Sequence, residues 1–178
     1  MGATATDGAP LGTRRNEHLR PGRMHLSTLW RARRRGQNHR MSLIRVVAAR
    51  LLPWLFALYA AATLLHFAHN AQYLARYPNL PASWSGASIY AAWGVLTALG
   101  VLGLALYATG TRRIGRSLLG LYALLGFGGL LHYTRAPVAH HSATMNVTIW
   151  AEAAAGTLLL INVVMLGGGA TTRSPLPS

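Results

Sequence analysis

Four histidines and one carboxylate lie near the same ends of the apolar segments of this chain, where ionisable side chains are rare. An ionisable group in hydrocarbon is costly and usually faces the interior of a helical bundle, where it marks a functional site. Nitrogen and oxygen ligands of this kind suit zinc, iron or copper(II). We therefore predict that Glu152 is a catalytic acid or base. The predicted metal ligands are His66, His69, His132 and His141.

The spacing on the first apolar segment predicts that several polar side chains share one helical face. His66 and His69 are then positioned to bind one metal from adjacent turns. Asn70 or Tyr73 would supply the hydrogen bond that a ligand histidine normally makes. The alternative is that the two histidines only form hydrogen bonds between helices.

A second stripe is predicted on the last apolar segment, where His141, Met145, Thr148 and Glu152 recur at helical spacing, with Met145 a candidate second contact to a ligand or substrate. A neutral Glu152 carboxyl would donate a proton, and its carboxylate would accept one or bind a metal. A structural hydrogen bond to a histidine of the first segment is the alternative for Glu152. Arg135 is a candidate counter-ion or headgroup ligand. His140 is a second candidate substrate contact, although solvated loop surface would equally explain it.

Composition excludes several kinds of chemistry. The 178 residues include no cysteine, so disulfides, iron–sulfur clusters and thiolate metal sites are ruled out. All 17 basic residues are arginine, and the absence of lysine removes Schiff-base mechanisms. The net charge of +14 includes nine arginines within residues 1–40. This basic tail favours anionic lipid headgroups, and because no folded nucleic-acid-binding module follows it, we expect no specific nucleic-acid partner.

Four apolar segments must position these groups, and each approaches the roughly 20 residues that cross a bilayer. Their short linkers predict an up-down bundle of four transmembrane helices, an all-α integral membrane protein. The predicted spans are 51–75, 86–108, 117–134 and 144–166.

The predicted transmembrane domain covers 46–166 and is flanked by two tails. Residues 1–45 are expected to form a disordered Arg-rich tail, because they lack a helical or strand period, and Met41 is an alternative start. Residues 167–178 form a short C-terminal tail. No internal repeat is evident.

The arginines near the ends of the spans predict the orientation, because cytoplasmic loops are richer in positive charge. Six arginines fall on one side and two on the other. We therefore expect both termini in the cytoplasm and the His/Glu cluster near the outer face of a plasma (inner) membrane. The two sets are Arg45, Arg50, Arg112, Arg113, Arg116 and Arg173 against Arg76 and Arg135.

These observations predict a multi-pass membrane protein whose outward-facing His/Glu cluster binds zinc, iron or copper and acts on a lipid-phase or periplasmic small molecule. Whether it is an enzyme stays open. A haem held by two histidines is less favoured, because the histidines lie on one side of the membrane. The alternative is an accessory or lipid- or quinone-binding subunit whose polar cluster bonds helices together. The expected partners are the bilayer and a second copy or a larger membrane complex.

Overall fold

A computed structural model describes Gly2 and residues 22–167 of the chain. This part is helical and contains no strand, which confirms the predicted all-α class. Three short 3₁₀ segments, Leu74–Arg76, Gly126–Leu131 and Val138–His140, connect the helices. The α-helices are α1 (Gly22–Gln72), α2 (Gly86–Ala108), α3 (Arg112–Leu125), α4 (His132–Arg135) and α5 (Ala143–Gly167).

Four helical stretches of the described chain are long and apolar enough to cross a membrane, and they correspond to the four predicted spans. The second agrees with the prediction residue for residue. The third runs through α3, the 3₁₀ segment after it and α4. The four stretches are Arg40–Gln72, Gly86–Ala108, Arg112–Arg135 and Ala143–Gly167.

Helix α1 begins earlier than the sequence predicts. A disordered tail is expected through residue 45, whereas the backbone is helical from Gly22. Arginine is among the better helix formers, and the segment 22–45 is rich in arginine and free of proline. The predicted tail residues 3–21 and the C-terminal residues from 168 lie outside the described residues. The chain divides into two compact units, Met1–Asn38 and His39–Ser178, and the four spans belong to the second.

Aromatic and aliphatic side chains form a core between α1, α3 and α5. The rings of Tyr59 and Tyr122 meet edge to face with centroids 4.6 Å apart. The Tyr59 hydroxyl donates to the Tyr122 carbonyl oxygen at 2.9 Å. Gly126 permits this approach, because a Cβ there would lie 2.8 Å from the Tyr59 ring. The core comprises Ala48, Leu52, Tyr59, Leu119, Tyr122, Ala123, Ala155, Leu159, Val163 and Leu166.

Large apolar side chains also cover the outside of the helices. Trp54, Val95 and Val164 are 75%, 70% and 66% exposed. Soluble monomers rarely expose large contiguous apolar patches, whereas lipid chains solvate such a surface without cost. The surface is therefore compatible with a multi-pass membrane protein.

Candidate functional site

Helices α1, α4 and α5 bring four polar side chains together beyond the apolar core. We call His66, Asn70, His132 and Glu152 the polar cluster. Their exposed fractions are 1%, 6%, 8% and 2%. His66 Nε2 lies 3.7 Å from Glu152 Oε2, and the rings of His66 and His132 have centroids 5.5 Å apart. The structure therefore brings the predicted catalytic residue together with two of the four predicted metal ligands.

Hydrogen bonds fix the direction of the His66 ring. The Asn70 amide nitrogen, a donor, lies 3.0 Å from His66 Nε2 and 3.5 Å from His132 Nε2. His66 Nε2 is thus an acceptor, so a neutral ring carries its proton on Nδ1. That Nδ1 lies 3.4 Å from Thr148 Oγ1, and the Thr148 hydroxyl donates in turn to the Met145 carbonyl at 3.0 Å. The result is a directed chain of bonds from α1 into α5.

Two oxygen atoms of the polar cluster have no hydrogen-bond partner among the residues that the structure describes: Asn70 Oδ1 and Glu152 Oε2. A buried polar atom left unpaired costs about 1–3 kcal/mol, so such atoms call for an explanation. Glu152 Oε2 lies close to the backbone of Gly129, where a Cβ would be 2.9 Å from it. Glycine at this position therefore makes room for the carboxyl group.

A cavity of about 510 Å³ lies beside the polar cluster, and all four cluster residues line it. Helix α2 contributes Ile89, Ala92 and Leu96 to its apolar lining. The volume falls within the roughly 300–1,000 Å³ typical of small-molecule sites. The polar cluster lines one part of the cavity, and mainly apolar side chains line the rest. The remaining lining residues are Phe67, Ser83, Trp84, Ser88, Ile89, Ala92, Leu96, Leu125, Gly128 and Gly129.

The first turn of α2 is fixed by a capping box. The Ser85 hydroxyl accepts from the Ser88 amide at 3.1 Å, and the Ser88 hydroxyl accepts from the Ser85 amide at 2.9 Å. These reciprocal bonds set where α2 begins. They thereby place Ser88 and Ile89 in the cavity lining.

The structure separates His69 from the polar cluster. Its Nδ1 lies 2.7 Å from the Tyr77 hydroxyl. Burial raises the pKa of that hydroxyl, so Tyr77 stays protonated and forms a neutral hydrogen bond with His69. Tyr73, the predicted partner of a ligand histidine, instead packs against the His69 ring at 4.7 Å and lies under the Arg76 guanidinium. A second cavity, of about 630 Å³, holds four of the predicted site residues: His69, Tyr73, His140 and Met145.

His141 and Arg135 lie near the polar cluster but outside the first cavity. His141 Nδ1 lies 3.1 Å from the Pro137 carbonyl oxygen, to which it donates, and the His141 ring is 6.2 Å from that of His132. Arg135 donates to the Asn79 carbonyl at 3.2 Å and lies over the Trp84 ring. Among the described residues it forms no ion pair with Glu152, whose nearest basic group is His66 Nε2 at 3.7 Å. The exposed guanidinium is held by a carbonyl and a ring at the helix end instead.

In the described part of the chain, no three His, Asp or Glu side chains are grouped so that they could hold a metal ion. His66 and Glu152 lie close enough to share a ligand, with 3.7 Å between Nε2 and Oε2. However, the lone pair of His66 Nε2 already accepts a hydrogen bond from the Asn70 amide. A metal would therefore require the Asn70 amide to turn away from the ring. The predicted metal stays a prediction.

Three residues contribute to the site although the sequence predicts no role in it for any of them. Thr148, which bonds His66, lies on the predicted stripe of α5, so its helical spacing from Glu152 was a usable signal. Tyr77 follows the end of α1 and has no periodic relation to its partner. Gly129 matters because packed helices bring Glu152 against its backbone. A small residue there indicates close packing of helices, but it does not identify Glu152 as the neighbour.

The polar cluster can form hydrogen bonds and can exchange a proton at Glu152, and the adjacent cavity can receive an apolar body. The chain matches no protein-family model, no curated protein and no solved structure. Its function is therefore argued from this geometry alone.

Proposed function

We propose that this chain is a multi-pass membrane protein that binds a small molecule from the lipid phase. The observation that carries the proposal is a single cavity of about 510 Å³ that combines the buried polar cluster with an apolar lining. Small-molecule sites commonly have this composition, in which a few polar groups orient an otherwise apolar ligand. Binding of this kind needs no catalytic step.

A membrane setting explains both the cavity and its surroundings. Four stretches are apolar enough to cross a bilayer, and lining residues such as His66, Leu96 and Glu152 lie within them. A ligand of this cavity would therefore partition into lipid first. The arginine distribution supports cytoplasmic termini and a polar cluster in the outer half of a plasma membrane. A second copy or a larger complex remains a predicted partner.

A divalent metal at the polar cluster is the second candidate function. The separation of 3.7 Å between His66 Nε2 and Glu152 Oε2, together with the unpaired Glu152 oxygen, favours it. Zinc, iron or copper would be held by His66, His132 and Glu152, and the carboxyl would act as ligand or general base. Such a site requires the Asn70 amide to rotate away.

The other two predicted metal ligands, His69 and His141, form hydrogen bonds through Nδ1, to Tyr77 and Pro137, and each would bind a metal through Nε2. Elemental analysis of the detergent-purified full chain tests this candidate. Stoichiometric metal that is lost in His66→Ala and His132→Ala would support it. Metal retained in both variants, or absent from wild type, would refute it.

The lipid-phase proposal is tested with two neighbouring alanines of α2. Both alanines are exposed, but Ala92 lines the cavity and Ala91 does not. Ala92→Phe therefore fills the cavity, and Ala91→Phe adds the same side chain to the outer surface. Organic extracts of the purified proteins are compared by mass spectrometry. We expect a compound that co-purifies with wild type and Ala91→Phe and is depleted in Ala92→Phe. Equal extracts from all three proteins would contradict the proposal.

A further inference from the structure

We propose that the molecule bound in this cavity is a lipid-phase alcohol or phenol whose hydroxyl group bonds to the polar cluster. The inference rests on the proposed function and deepens it by naming the head group of the ligand. The unpaired atoms carry it. Asn70 and Glu152 both line the cavity, and each has one oxygen without a partner among the described residues.

The unpaired Asn70 atom is an acceptor. Its amide nitrogen is already engaged with the ring nitrogens of His66 and His132, which leaves Oδ1 as the free end of the side chain. An amide oxygen accepts hydrogen bonds and cannot donate them. Any group that satisfies Asn70 must therefore bring a donor.

The unpaired Glu152 oxygen leads to the same head group in either protonation state. A carboxylate accepts only, whereas a neutral carboxyl donates through one oxygen and accepts through the other. A hydroxyl group donates and accepts, so it can pair with Glu152 in both cases and with Asn70. A ketone, quinone or ether oxygen only accepts, and it would leave Asn70 Oδ1 unpaired.

Neither oxygen has appreciable exposed surface, so contact requires a local rotation. The terminal torsions of amide and carboxyl side chains are soft, and turning them moves no helix. Beside Glu152, Gly129 leaves room for such a rotation, because the backbone there carries no Cβ. A hydroxyl entering from the cavity would meet the oxygens after this adjustment.

The rest of the lining fits an uncharged apolar body. Phe67, Ile89, Leu96 and Leu125 supply aromatic and aliphatic surface. A charged ammonium group would also donate, but placing a cation inside a span is costly. The cluster offers it one carboxyl group as the only anionic partner in the described spans. An uncharged hydroxyl is therefore the better match.

A matched pair of probes tests the inference: 4-pentylphenol and its methyl ether, 4-pentylanisole, which share one body and differ in the hydroxyl hydrogen. Binding to the full chain in nanodiscs is measured by calorimetry, with protein-free nanodiscs subtracted to remove partitioning. We expect the phenol to bind wild type about tenfold more tightly, a difference of about 1.4 kcal/mol. Ether binding as tight as phenol binding would overturn the hydroxyl inference while leaving the cavity function intact.

Variants test whether the polar cluster causes the preference for the phenol. They also distinguish failure of the hydroxyl inference from failure of the proposed binding function. Glu152→Leu should reduce the preference for the phenol, because only Asn70 Oδ1 then remains to accept from its hydroxyl. Glu152→Gln, which retains an acceptor oxygen, should keep most of the preference. Should Glu152→Leu fail to fold, the comparison of Glu152→Gln with Asn70→Leu serves in its place. An unchanged preference in both leucine variants would overturn the assignment. Failure of wild type to bind either probe, with Ala92→Phe indistinguishable from Ala91→Phe, would refute the proposed function itself.

Discussion

Two regions of the described bundle use α1 and α5 differently. Around Tyr59 and Tyr122, the space between α1, α3 and α5 is filled by aromatic and aliphatic side chains. Two turns further along α1, around His66, helices α1, α4 and α5 bury hydrogen-bonding groups next to a cavity. Dense packing stabilises a fold, whereas unpaired buried oxygens destabilise it. The Tyr122 hydroxyl in the packed region is also a buried oxygen without a partner among the described residues. What distinguishes the second region is the cavity beside its unpaired groups, and the proposed binding function needs that cavity.

The largest expected loss of stability comes from the packed region. Leu159 is 0% exposed and belongs to the core, so Leu159→Ala should lower the free energy of unfolding by about 2–5 kcal/mol. The probe preference of the folded fraction should not change. Unfolding in detergent with a denaturant titration measures the first quantity. Val164, which is 66% exposed, is the control. If Leu159→Ala lowers the free energy of unfolding no more than Val164→Ala does, this region is not the core.

A smaller loss of stability is expected at Gly129, beside the polar cluster. A Cβ on Gly129 would lie 2.9 Å from Glu152 Oε2, whereas one on Gly128 would meet nothing within 4 Å. Gly129→Ala should therefore displace the carboxyl and cost about 1–3 kcal/mol of stability. It should also reduce the preference for the phenol probe.

Gly128→Ala is the matched control for Gly129→Ala, because it adds the same methyl group in the same 3₁₀ segment. Its stability should stay within about 0.5 kcal/mol of wild type. Equal effects of the two substitutions would show that the segment responds to helix propensity and not to the Glu152 contact.

The smallest expected effect tests a single hydrogen bond in the packed region. Tyr59→Phe removes the donor to the Tyr122 carbonyl oxygen and should lower stability by about 0.5–1.5 kcal/mol. The ring contact at 4.6 Å is kept, so the packing itself should survive. If Tyr59→Phe lowers the free energy of unfolding as much as Leu159→Ala does, then this hydrogen bond, and not apolar packing, is the main source of stability in the region.

The spans could be predicted from the sequence because long apolar runs carry a strong signal. The second was predicted residue for residue, since Ser85 and Gly110 mark its ends with cap and turn chemistry. The start of α1 was not predicted. The segment before residue 45 is polar and has no helical period, which favours a disordered tail, but its arginines favour a helix.

The candidate site was predictable only in part. Helical spacing correctly grouped His66 with Asn70 on one face. His69, three residues from His66, is rotated about 60° around the helix from it, which is enough to direct it to Tyr77 and the second cavity. Contacts such as that of Arg135 with Asn79 depend on how the loops fold, and no periodicity encodes them.

The central claim is that the cavity beside the polar cluster receives a small lipid-phase molecule. Photolabelling tests it most directly, using an alkylphenol that carries a diazirine on its chain, with the full protein in nanodiscs and adducts mapped by mass spectrometry. We predict labelling at cavity residues such as Ile89, Leu96 and Leu125, and competition by 4-pentylphenol. Labelling confined to exposed positions such as Val95 and Val164, without competition by 4-pentylphenol, would contradict the proposed binding site.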